Sequence, residues 1–333
     1  MLDTSQRGIT FTGSGAAAPE SLLSNDDLSK IVDTNDEWIS SRTGIKTRHI
    51  ASPEVTLCEL ATAAGKQAIA NAGITAAEID LIILATSTPD DLFGSASKIQ
   101  YLLGATRAVA FDLTAACSGF VFALVNAAQF IRTGTYQNVL VIGADILSRW
   151  LDWSDRRTCV LFGDGAGAVV CQATKDGDRL LGFEICSNGA QNDCLNLPFS
   201  GQSAALSETV SIAKGTYQPI FMKGREVYRF AVAKVPEVIE KALFRADRTP
   251  EQIDWLILHQ ANQRIMNSVA DRLKIPPEKV ISNVASYGNT SAASIPIALH
   301  EAIASDRIKP GDLIATSGFG AGLTWGAAIF KWG

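Results

Sequence analysis

The chain repeats itself. Thr75-AAEIDLIILAT and Thr249-PEQIDWLILHQ align without gaps at an offset of 174, with Thr, Ile, Asp, Ile and Leu identical at the first, fifth, sixth, ninth and tenth positions. Each follows a helix-like stretch rich in alanine or valine, and the offset carried forward lays Val139 against Leu313 and Cys117 against Ser291. One register held over so long a span marks two copies of a single α/β unit. It confines the fold to an arrangement in which both copies have somewhere to bury their apolar runs.

The segment from Ala108 to Gly134, AVAFDLTAACSGFVFALVNAAQFIRTG, reads as a buried strand (Val109, Phe111, Leu113) running directly into a helix. Apolar residues lie on nearly every side of that helix, so it is enclosed by protein, and Gly134 stands in the usual stop position. Cys117 sits at the joint. At a helix amino end, unpaired N–H groups and the dipole favour a thiolate and are expected to lower the pKa from about 8.5. Such a cysteine is either a small core residue or a nucleophile, and the strand-to-helix turn favours the second.

Other elements follow from pattern. Strands are expected at 9–15, 79–86 and 138–142, and helices at 57–72 and 226–244. The glycine-rich FGDGAGAVV (162–170) lacks phosphate-loop spacing and reads as a tight turn between strands. Residues 187–219, rich in Ser, Asn, Gly and Gln, read as a surface excursion.

At 333 residues with 47% hydrophobic content the chain has enough material for two domains or one large duplicated one. Its 29 basic and 34 acidic residues give a net charge of −5, which argues against general nucleic-acid binding. No apolar run is long enough to span a membrane, and MLDTSQRGITFTGSG lacks a signal-peptide layout, so a cytoplasmic location is expected. Six cysteines without a CxxC pair read as reduced thiols, and three histidines are too few and scattered for an evident metal site.

The repeat also singles out chemistry in the second half. His259 falls opposite Ala85, at the carboxyl end of a strand, where ligands sit in open α/β sheets. Asn289, in YGNTSAAS, falls opposite Ala115, two residues before the position matching Cys117. The pseudo-symmetry brings both loops to one site.

TAACSGF around Cys117, HQAN from His259, YGNTSAAS around Asn289, DEWISSRTGI from Asp36 and the closing GFGAGLTWGAA together resemble the β-ketoacyl-acyl-carrier-protein synthase III family over nearly the whole chain. The resemblance implies a thiolase-like α/β fold: two pseudo-symmetric halves stacked as a five-layered αβαβα core. Residues 1–180 would carry the nucleophile and residues 181–333 the histidine and asparagine. It further implies that Cys117 takes an acetyl group from acetyl-CoA. Malonyl-acyl-carrier protein would then lose CO₂ as His259 and Asn289 stabilise the enolate. The backbone N–H groups of Cys117 and Ala321 would form an oxyanion hole.

By the same resemblance Trp38, Arg42, Arg156 and Asn262 hold CoA. Gln260, Ala261, Asn262, Gln263 and Arg264, with Arg229 and Arg272, face the acidic carrier protein, while Leu92 borders the acyl pocket across a homodimer interface. CoA enters as substrate, and no cofactor or metal is expected. Within the fold, a thiolase needs a second catalytic cysteine, whereas this chain has none after Cys194. Elongating synthases need two histidines, and His300 lies inside the ALHEAI helix. A polyketide-type synthase using other starters is the nearest alternative; a non-catalytic partner subunit is disfavoured by Cys117.

Overall fold

The computed structural model describes residues 8–333. The leading MLDTSQR, on which part of the amino-terminal reading rests, lies outside the described residues. The first sheet holds β1 (Gly8–Ala17), β2 (Leu81–Ala85), β3 (Val109–Leu113), β4 (Asn138–Ile146) and β5 (Asp164–Thr174), ordered β1-β5-β4-β2-β3. The second holds β6 (Leu180–Ser187), β7 (Trp255–Leu258), β8 (Val280–Ile281), β9 (Leu313–Gly320) and β10 (Thr324–Lys331), ordered β6-β10-β9-β7-β8. The two orders match strand for strand. In each sheet the first two pairings are antiparallel and the last two parallel.

The principal helices are α1 (Asp36–Thr43), α2 (Leu57–Asn71), α3 (Ala96–Leu103), α4 (Gly119–Arg132), α5 (Gly224–Arg245), α6 (Gln263–Leu273) and α7 (Ser294–Ala304). Phe120 and Leu124 of α4 and Ile295 and Leu299 of α7 share one core with Ile83 of the first sheet and Ile257 of the second. Helices α2 and α3 cover the outer face of the first sheet through Leu60 and Ile99, against Ile82 and Leu140. Helices α5 and α6 cover the second through Ile239 and Met266, against Leu256 and Ala315. The five layers αβαβα expected from the resemblance are therefore present. Because β2 is covered on both sides, its residues form the continuous apolar run seen in the sequence.

The repeat extends to detail. Thr75 and Thr249 each open a single turn closed by a reciprocal contact, to Glu78 and Gln252 respectively. The register slips by one further along, however. Leu81 pairs with Val139, whereas Trp255, its counterpart at 174, pairs with Ile314 at 175. The left-handed residues Ala116 (φ 47°) and Ser291 (φ 50°) are likewise 175 apart. Cys117 thus corresponds to Ala292, not Ser291. An extra residue between β7 and the turn before α7 is absorbed in a connection, where length is cheap to change.

Two other expectations are corrected. FGDGAGAVV is no tight turn: Asp164 onwards forms β5, and the glycines answer to close approach. An added Cβ at Gly167 would lie 2.7 Å from the backbone nitrogen of Ile297 in α7. Strand β3 is an edge strand, not a buried one, with Val109 51% and Phe111 36% exposed. The excursion over 187–219 is borne out, its centre being an exposed hairpin of Phe199–Ala205 and Ser211–Tyr217. Among the described residues no helix is long and apolar enough to cross a membrane.

The halves meet closely where β4 touches the turn before α7. A Cβ at Gly143 would lie 2.2 Å from the carbonyl oxygen of Ala292. Gly143→Ala is expected to cost about 1–3 kcal/mol through overpacking, read in urea unfolding as a lower midpoint at unchanged slope; an unmoved midpoint would refute the contact.

Candidate active site

The first sheet's β3 ends at Leu113, and Ala116–Ser118 forms one 3₁₀ turn that hands the chain to α4. Ala116 is left-handed, a conformation that costs a side-chain-bearing residue about 1–3 kcal/mol and persists only when its surroundings impose it. The imposing neighbour is β9: a Cβ at Gly320 would lie 2.6 Å from the backbone nitrogen of Cys117. Ser118 secures the turn, its hydroxyl donating to Ala115 O at 2.7 Å.

Cys117 is 8% exposed. Burial pushes its thiol up to about 12, the adjacent Ser291 side chain opposing the rise and the Asp145 carboxylate adding to it. The sequence reading expected the reverse. A helix end contributes at most about 2 kcal/mol, whereas full burial moves a pKa by up to about 3–5 units, so desolvation wins in the resting protein. Asp145 itself went unnoticed in the sequence. It is fully buried at the seam, accepting from Ser87 N at 2.8 Å and from Ala292 N at 3.2 Å, and burial raises its pKa.

His259 follows β7 directly, its backbone N–H donating to Ser317 O at 2.8 Å. The ring is buried, stands edge-on to Phe319 at 5.4 Å between centroids, and places Nδ1 2.8 Å from Ser294 Oγ. Desolvation lowers its pKa to about 3, so the imidazole is neutral at pH 7. Asn289 is held from the other half: its N–H donates to Leu161 O at 2.9 Å, and its carbonyl accepts from Gly163 N at 3.0 Å. The glycine is required there, because a Cβ at Gly163 would lie 2.3 Å from Tyr287 O.

Cys117, His259 and Asn289 line one cavity of about 580 Å³. Trp38, Arg42, Asn262, Arg229 and Arg264 line it as well. The guanidiniums of Arg42 and Arg156 lie 4.6 and 5.2 Å from the Trp38 ring. Arg156 does not line the cavity; it reaches Asp33, while Arg157 and Arg225 line it and were missed by sequence reasoning. Asn262 caps α6, its Oδ1 accepting from Arg264 N at 2.8 Å and its Nδ2 donating to Arg42 O at 3.0 Å.

The rest of the carrier-facing set divides. Ala261 lines the cavity and Gln263 begins α6, but Gln260 is 1% exposed and donates to Leu258 O at 2.7 Å. It anchors the strand end and offers nothing to a partner. Arg272 lies outside the cavity, 3.5 Å from Val232 O, the carbonyl that Pro236 in α5 cannot satisfy for lack of an N–H. His300 is bonded to Ser14 Oγ at 3.1 Å.

A second cavity, of about 770 Å³, reaches Cys117 from the other side; Leu92, Phe93 and Ala321 line it. Arg48 underlies the first cavity. Fully buried, it donates to Leu23 O, Asn25 Oδ1 and Val160 O within 3.0 Å, and Asn25 in turn donates to Asp36 of α1 at 2.7 Å.

Residues 111–189 match the family described as 3-oxoacyl-[acyl-carrier-protein (ACP)] synthase III, and residues 243–332 match its C-terminal part. The chain is 68% identical over 326 residues, 98% of either chain, to beta-ketoacyl-[acyl-carrier-protein] synthase III of Trichormus variabilis. The chain belongs to the β-ketoacyl-acyl-carrier-protein synthase III family. A solved 3-oxoacyl-[acyl-carrier-protein] synthase III, from Aquifex aeolicus, superposes with a TM-score of 0.90 at 47% identity, covering 98% of this chain and 100% of that one. The priming β-ketosynthase of the R1128 polyketide pathway superposes at 0.89 with 32% identity, over 98% and 97%.

For this member of the synthase III family, a thiol held near 12 has a measurable consequence. Only the thiolate is alkylated, so the rate of Cys117 modification by iodoacetamide in the free protein is expected to climb about tenfold per pH unit between about pH 7 and 9.5. A plateau in that range would show a lowered pKa instead.

Proposed function

We propose that the chain catalyses the decarboxylating condensation of acetyl-CoA, or another short acyl-CoA, with malonyl-acyl-carrier protein. The products are acetoacetyl-carrier protein, CoA and CO₂, and the reaction initiates type II fatty-acid synthesis in the cytosol. The observation that carries the reading is the convergence of Cys117, His259 and Asn289 on one cavity that is also lined by an aromatic ring among guanidiniums. An aromatic ring among guanidiniums suits a nucleotide bearing phosphates, and the cysteine suits a thioester.

In the first half-reaction the Cys117 sulfur attacks the acyl carbonyl, and CoA leaves with the proton the thiol gave up. Backbone N–H groups of Cys117 and Ala321 receive the tetrahedral oxyanion; a donor of this kind is worth about 3–4 kcal/mol. In the second, the malonyl thioester carbonyl accepts hydrogen bonds from His259 and Asn289. These stabilise the enolate as the carboxylate departs as CO₂; the enolate carbon then attacks the acyl-cysteine carbonyl, the C–S bond breaks to give acetoacetyl-carrier protein, and the released Cys117 thiolate takes up a proton from solvent. The chemistry assigned to these three groups calls for no cofactor. The polyketide alternative has weaker support, since that relative is 32% identical against 68% for the beta-ketoacyl-[acyl-carrier-protein] synthase III of Trichormus variabilis.

Cys117→Ser is expected to abolish acyl transfer from labelled acetyl-CoA. His259→Ala and Asn289→Ala should still form the acyl-enzyme, yet lose malonyl decarboxylation by about 10²-fold or more. Equal loss of both half-reactions in the latter pair would sink the division of roles.

The protein acts as a homodimer in this reading. Supporting it are the unpaired edge β3 with its exposed Val109 and Phe111, and Leu92 and Phe93 beside the same sheet at 79% and 99% exposure. An apolar edge strand left open invites pairing with another chain. Light scattering should give twice the chain mass, and Phe111→Asp should shift it toward the monomer; a wild-type monomer at micromolar concentration would refute the dimer.

A further inference from the structure

Polarising a carbonyl demands that His259 and Asn289 both present hydrogen, not a lone pair, to the cavity. Neither side chain guarantees this. A neutral imidazole carries its single proton on either nitrogen, and a carboxamide offers oxygen as readily as nitrogen. What decides the matter is the other contact each group makes.

We infer that the turn from Asn289 to Ser294 sets the donor polarity of both groups, with Ser294 the positioning residue that holds His259 as its Nε2–H tautomer. For Asn289 the decisive contact is the backbone N–H of Ser291, 2.9 Å from Oδ1. A backbone N–H can only donate, so the atom it meets is the carbonyl oxygen, and the amide's hydrogens are left for the cavity. Ser291 can aim its N–H backwards because it is left-handed, at φ 50°.

For His259 the decisive contact is the hydroxyl of Ser294, buried at 1% exposure and 2.8 Å from Nδ1. That hydroxyl already accepts the N–H of Gln260 at 3.3 Å. Among the described residues its one hydrogen meets no acceptor other than Nδ1. Were Nδ1 protonated, the hydroxyl would receive two N–H groups and its own hydrogen would be stranded in a dry site, which buried polar groups avoid. The hydrogen therefore goes to Nδ1, and the ring's proton sits on Nε2.

This rests on the proposed role of the two groups in decarboxylation, and the test separates the two ideas. In protein labelled with ¹⁵N-imidazole, the His259 signals, assigned by their loss in His259→Ala, should show a protonated Nε2 and a bare Nδ1 between pH 6 and 8. A proton on Nδ1 overturns the inference whatever the activity. Ser294→Ala should mix the tautomers and slow malonyl decarboxylation about tenfold or more, the scale of one misdirected hydrogen bond, with a much smaller effect on acyl transfer to Cys117. Ser294→Thr, which restores a hydroxyl, should recover both the spectrum and the rate. An unchanged tautomer and rate in Ser294→Ala would also overturn it. A wild-type protein with the Nε2–H ring but no malonyl decarboxylation would instead refute the proposed function while leaving the tautomer assignment standing.

Discussion

Two sheets sharing one middle layer of helices is the constraint on which everything else depends. Each sheet is apolar on both faces, so α4 and α7 must be apolar nearly all round and lie back to back between them. Because the halves are copies, both helices begin in the same kind of left-handed turn, and the two turns are driven together at the seam. The active centre is the meeting point of those turns. Cys117 lies on one of them; Asn289 and Ser294 frame the other, and His259 exits the strand beside it.

That placement has an electrostatic consequence. The seam is buried, and burial acts on each titratable group in the direction of its neutral form: up for the Cys117 thiol and the Asp145 carboxyl, down for His259. For the histidine this is an asset, since a ring neutral across the working pH range has a stable donor and a stable acceptor. For the cysteine it is a cost in the resting protein. The thiol is held in its neutral, less nucleophilic form. A surface thiol next to a helix end would have the opposite bias.

Much of this was legible in the residues. The 174-residue repeat located His259 before any fold was known, because strand periodicity and an identical turn survive duplication. The cysteine-to-helix joint was equally plain from the change of pattern after Ser118. What failed did so for identifiable reasons. An apolar edge strand has the same alternation as a core strand, so the exposure of Val109 and Phe111 was invisible. Gln260 stands in a motif beside His259, yet its side chain turns inward to a strand carbonyl, and sequence adjacency does not encode that direction. Asp145 gave no signal because a buried acid is recognisable only by the donors around it, and those come from distant segments.

Arg48 carries one more implication. It is a fully buried guanidinium answered by carbonyl and amide oxygens alone, joining Val160 on the cavity floor to Leu23, and through Asn25 to α1, the helix that bears Trp38. Cavity wall and helix are consequently tied by one hydrogen-bonded chain. Loss of the Arg48 guanidinium would strip three oxygens of their donor at once and loosen both together.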